Sequence, residues 1–143
     1  MAVQFHHIYP GARLHVSLRR VRYCIERLVL LEGFTPGNIN VIFCSTRYIY
    51  NLNITYLKHF YPTDVITFDY SAYPVLSGDI FIGVDVVRAN ARLYSQSFQN
   101  ELLRVILHGV LHLCGYKDKT PVQRKMMREK EDYYLKLFSN YAG

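Results

Sequence analysis

Apolar and polar residues change period several times along this chain, and each change marks an element. Leu14, Leu18, Val21, Ile25 and Leu28 recur at steps of three and four, on one face of an amphipathic helix. The pattern predicts that helix over residues 15–31, ending before Gly33. Runs rich in β-branched and aromatic residues predict strands over 3–8, 38–44, 65–70 and 79–84, the last two joined by a loop with Pro74 and Gly78. A short helix is expected over 46–56, then a loop through Pro62, and a further helix over 85–93 with Asp85 as its cap. Residues 98–114 are apolar nearly all round, through Leu102, Leu103, Val105, Ile106, Leu107, Val110, Leu111 and Leu113, as a central buried helix would be. Thr120-Pro121-Val122-Gln123 has the form of a capping box with proline in the first turn, and starts a last helix to about Phe138. The sum is an α+β fold: a single domain over residues 1–143, a small mixed β-sheet packed with helices.

The apolar helix over 98–114 carries one polar stripe, Glu101, Arg104, His108 and His112, at steps of three and four. Buried polar groups without partners are costly, so the stripe should face a cleft, an ion or its own members. Two histidines four apart project from the same helix face. Gly115, three residues past His112, can end the helix, and Asp118 can then fold back toward the imidazoles. Two nitrogens and one oxygen with a fourth position open match the construction of a catalytic zinc site. A histidine pair at this spacing alone more often donates to backbone carbonyls; Gly115 and Asp118 reverse that balance. Gly109 adds weight, since glycine inside a helix costs roughly 1 kcal/mol against alanine and signals a close approach. Arg104 suits phosphate recognition by its planar fork, or else an i,i+3 salt bridge to Glu101.

Composition narrows the class. The chain has 143 residues, half of them apolar, with thirteen Tyr and eight Phe, so a proper core is expected and disorder is not. His6, His7, Pro10 and Gly11 interrupt any apolar run near the N-terminal end, so no signal sequence is expected, and no stretch approaches a membrane span. Cys24, Cys44 and Cys114 are odd in number and widely spaced, which fits a reducing cytoplasm rather than a disulfide framework. Cys114 points away from the face of the His pair and is not counted as a ligand. The formal charge is +6, with Arg13, Arg19, Arg20, Arg22 and Arg27 crowding the first helix. Lys117, Lys119, Arg124, Lys125, Arg128 and Lys130 follow the His motif. A basic balance favours polyanionic partners, though each charge singly fits a solvated helix face.

The run from His108 to Asp118, HGVLHLCGYKD, closely resembles the HGxLHLxGYDH motif of the YbeY family of metal-dependent endoribonucleases acting in ribosomal RNA maturation. Leu52-Asn53-Ile54-Thr55-Tyr56 and Pro62-Thr63-Asp64-Val65-Ile66-Thr67-Phe68 are similar to the family's LNxxYRxxDxPTDVLSF segment, and Gly78-Asp79-Ile80-Phe81-Ile82 to its GDIxI strand. The resemblance thus covers essentially the whole chain. It implies that His108 and His112 are metal ligands and that Asp118 stands where the family has its third histidine. A carboxylate is a competent zinc ligand, so a His-His-Asp site is expected, with His59 or a two-ligand site as weaker alternatives. The family's arginine after LNxxY is Leu57 here, with Lys58 next door, and a family histidine one turn before the first ligand is Arg104. Arg104 and Lys58 are therefore the substrate-binding candidates.

What the resemblance implies is a single-strand-specific endoribonuclease using one divalent ion, most readily zinc. Its partners would be ribosomal RNA and the ribosome or its small subunit, in the cytoplasm and not at a membrane. A metal-bound water is the expected reacting group; no residue is assigned as general acid, with Asp64, Asp79 and Glu101 as candidates. One alternative is a non-catalytic ribosome-assembly factor with a structural metal. Another is a zinc peptidase, since HxxxHxxGxxD has metzincin spacing. Those proteases carry Glu directly after the first His, where this chain has Gly109, which cannot move a proton.

Overall fold

The structure, a computed structural model, describes residues 2–8 and 14–139. Its elements run β1 (Ala2–His7), α1 (Leu18–Leu31), β2 (Thr35–Cys44), α2 (Thr46–Leu52), a π-helical turn (Asn53–Leu57), β3 (Val65–Asp69), β4 (Val75–Gly83), α3 (Val84–Leu93), α4 (Phe98–Leu113) and α5 (Pro121–Phe138). The four strands form one sheet in the order β1-β2-β4-β3. β1 and β4 flank β2 in parallel, and β3 closes the edge antiparallel to β4. The fold is α+β with a mixed sheet, as the residue pattern predicts.

Element ends depart from expectation where a cap or a strand partner decides them. α1 starts at Leu18 rather than near His15, because Ser17 caps it by accepting from Arg20 N at 3.2 Å. His15 has φ +51°, outside the helical region. β2 and β4 both begin earlier than expected, since Thr35 pairs with Val75 and Pro36 with Leu76. Asp85 is not the cap of α3: Gly83 holds that position without a side-chain bond, and Asp85 lies in the first turn. There its charge favours the positive end of the helix instead. The helix expected over 46–56 widens at Asn53 into the π turn, and buried Asn53 ties that turn to the following loop by donating to Tyr61 O at 2.8 Å. α5 begins as predicted, with the Thr120–Gln123 capping box formed in both directions. Arg13 lies outside the described residues.

The core lies between the sheet and α1 and α4. α1 contributes Val21, Cys24, Ile25, Leu28 and Val29, and the strands contribute Ile39, Val41, Phe43, Ile80 and Ile82. Each such Val, Leu, Ile or Phe side chain stabilises the fold by about 1.5–3 kcal/mol when fully buried. α4 packs against β3, β4, α1, α3 and α5. Gly109 lets it sit close: a Cβ there would come within 2.8 Å of Ile80 Cγ2 and 3.1 Å of Thr67 Oγ1. That contact sets how close α4 sits to β3 and β4, and the polar stripe of α4 runs along the neighbouring flank of the helix, where a cleft opens.

Candidate metal centre

α4 ends in a Schellman turn: Gly115 N donates to His112 O at 3.0 Å and Tyr116 N to Leu111 O at 3.1 Å, with Gly115 at φ +103°. The reversal carries Asp118 back over the last turn. His108 Nε2 and His112 Nε2 lie 3.0 Å apart, and Asp118 Oδ2 lies 3.2 Å from the first and 3.4 Å from the second. The three donor atoms thus make a nearly regular triangle. With ligand bonds near 2.05 Å, a tetrahedral ion has donor-to-donor edges of about 3.3 Å, so the triangle has the size of one face of a zinc tetrahedron. Among the described residues, this is the one group of three or more His, Cys, Asp or Glu that could hold an ion.

The remaining ring nitrogens are engaged. His108 Nδ1 meets Glu131 Oε2 at 2.7 Å, and His112 Nδ1 meets the Tyr116 carbonyl at 3.0 Å. Each bond takes an Nδ1–H as donor and leaves Nε2 with its lone pair aimed at the triangle, the arrangement that orients histidine ligands. Burial pushes His108 toward the neutral form, but Glu131, with Asp118 and Asp64 behind it, outweighs that and raises its pKa. Burial and the neighbouring His108 charge lower that of His112. Two Nε2 atoms at 3.0 Å leave room for a single proton between them.

Beside His108 lies a cleft of about 620 Å³. Asp64, Glu101, Glu131 and Asp118 line it together with the cations Arg104, Arg124, Lys125 and Arg128. Burial raises the pKa of Asp64, which the His108 charge partly offsets. Burial likewise raises that of Glu101, which is 5% exposed. Asp79, by contrast, accepts from Asn40 Nδ2 at 3.0 Å and does not line this cleft.

Arg104 reaches the cleft, but not by pairing with Glu101. Its Nη1 binds Glu131 at 3.0 Å and its Nη2 binds Asp132 at 2.8 Å. Lys58 is exposed in the left-handed conformation that ends the π turn, and it is not among the residues lining the cleft. His59 stacks on Tyr61 and stands outside the metal-binding group. Glu131 escaped the sequence reading. The available signal was an acidic residue inside the buried stripe of α5, between Met127 and Tyr134.

The sequence profile of the family described as endoribonuclease YbeY matches residues 15–139. A protein of that description from Flavobacterium psychrophilum is 47% identical over 114 residues, covering 80% of this chain and 81% of the relative. One from Parabacteroides distasonis is 47% identical over 122 residues, covering 85% and 86%. Among solved structures, a Thermotoga maritima protein determined in solution superposes with a TM-score of 0.67 at 31% identity, covering 95% of this chain and 88% of that one.

Proposed function

The chain belongs to the YbeY endoribonuclease family, and from that premise we propose that it is a metal-dependent, single-strand-specific endoribonuclease in ribosomal RNA processing. Residues 1–143 form its one catalytic domain. It works in the cytoplasm, on ribosomal RNA presented by the ribosome or its small subunit. The observation that carries the metal dependence is the triangle of His108, His112 and Asp118 donor atoms, with both His Nδ1 atoms bonded elsewhere.

When bound, a divalent ion such as zinc supplies Lewis acidity toward a phosphoryl oxygen and toward water. The chain's own residues do the rest. Arg124, Lys125 and Arg128 line the cleft and hold backbone phosphates there. Asp64 and Glu101 line the cleft, burial raises the pKa of each, and they are the candidates for giving a proton to the departing ribose oxygen.

The test compares cleavage of single-stranded RNA by wild type and His112→Ala, purified in parallel with bound metal quantified. The expected result is cleavage by wild type that vanishes, together with the metal, in a folded variant. Equal cleavage by both would overturn the reading. A wild type that holds metal without cleaving would leave a non-catalytic assembly factor instead.

A further inference from the structure

The side chain of Glu32 follows directly after α1 and far from α4 in sequence, yet it meets three donors from the region of the metal centre. Tyr116 Oη donates to Glu32 Oε1 at 2.7 Å, and Lys130 Nζ to Oε2 at 3.1 Å. The Tyr134 hydroxyl donates to Oε2 as well. The Glu32 side chain is 9% exposed, so these bonds replace water rather than supplement it. Tyr116 is the residue whose carbonyl orients His112, and it lies two positions before Asp118. Its ring also packs against the core, so the hydroxyl bond and the ring together leave the turn little freedom.

We propose that Glu32 is a positioning residue for the metal centre: through the Tyr116 hydroxyl it fixes the turn that presents a carbonyl to His112 and carries Asp118. Lys130 and Tyr134 hold Glu32 in turn. They lie on α5, the same helix that brings Glu131 to His108. Both imidazoles are thereby oriented from one helix, His108 by direct contact and His112 through Glu32 and Tyr116. The inference rests on the reading of His108, His112 and Asp118 as metal ligands.

The test uses the full chain, stripped of metal, as wild type, Tyr116→Phe, Glu32→Gln and the double variant. Zinc affinity is measured by competition with a chromophoric chelator, and thermal stability of the metal-free proteins in parallel. Outer partners of metal ligands typically affect affinity by roughly 10–100-fold. Tyr116→Phe is expected to bind zinc about tenfold more weakly. Glu32→Gln keeps an acceptor for the Tyr116 hydroxyl but loses the charge, and is expected to be weakened by no more than that. The double variant is expected to bind no more weakly than Tyr116→Phe, because both changes act on one path. A lowered melting temperature with wild-type zinc affinity would assign the cluster to stability alone and overturn the inference. Additive losses in the double variant would overturn the shared path. If Glu32→Gln does not fold, Tyr116→Phe decides, since it removes one hydroxyl and leaves the carboxylate with two donors. Variants that match a zinc-binding wild type overturn this inference alone; a wild type that takes no zinc overturns it together with the metal reading.

Discussion

Oε2 of Glu131 lies 2.7 Å from Nδ1 of His108, so the other nitrogen of that ring is left facing Asp118 and His112. A carboxylate in this position increases the basicity of the ligand as well as orienting it. Glu131→Gln keeps an acceptor but removes the charge. Metal affinity is expected to fall by about tenfold or more, read by chelator competition. Unchanged affinity would show that the carboxylate only orients the ring.

Asp118 supplies a hard, charged oxygen where the family motif has an imidazole. Asp118→His is expected to keep a three-ligand site and to shift its preference toward zinc over manganese, because imidazole suits zinc and carboxylate suits manganese. Dialysis against an equimolar mixture of the two ions, followed by metal analysis, measures the shift. Asp118→Ala should lose metal altogether under the same conditions.

Asp132 competes for the guanidinium that a phosphate would use. It holds Arg104 Nη2 at 2.8 Å, and its side chain is 58% exposed. Asp132→Asn is expected to tighten binding of a labelled single-stranded RNA by roughly two- to fivefold, the scale of an exposed ion pair, and the gain should shrink at high salt. Anisotropy titrations at two salt concentrations read both effects. Weaker binding would show that Arg104 serves Glu131 and not the substrate.

Much of the centre was legible in the sequence because it is local. His108, His112 and Asp118 are brought together by one helix and one turn, and Gly115 announces where the turn falls. Glu131 was not legible, since nothing near His108 in sequence says that α5 will pack alongside it. Arg104 illustrates the same limit. The nearest acid in sequence was Glu101, but the carboxylates it meets are on α5. The strands were visible through their β-branched residues, whereas the early starts of β2 and β4 depend on pairing of Thr35 and Pro36 with Val75 and Leu76. Gly83 at the head of α3 gives no side-chain signal, which is why Asp85 drew the assignment.

Glu32 makes acid stability sensitive to one carboxyl. Burial alone would raise its pKa, but hydrogen bonds from Tyr134, Tyr116 and Lys130 outweigh burial and hold it below the usual 4.5. A folded-state pKa below the unfolded one contributes stability above the unfolded value, and that contribution is lost as pH falls through the folded one. Urea midpoints of wild type and Glu32→Gln should therefore differ by a constant amount at neutral pH and converge below about pH 4.5. A gap that stays constant into acid would show that the bonds do not depend on the charge.

His108, His112 and Asp118, the three candidate ligands, fall within residues 108–118, as does the Tyr116 carbonyl that meets His112. Glu131, which meets His108, and Glu32, which meets the Tyr116 hydroxyl, come from outside that segment. An unfolded chain therefore retains a short chelating peptide, although not the orientation of its imidazoles. Metal bound by that peptide subtracts from the stabilisation that metal gives the native state.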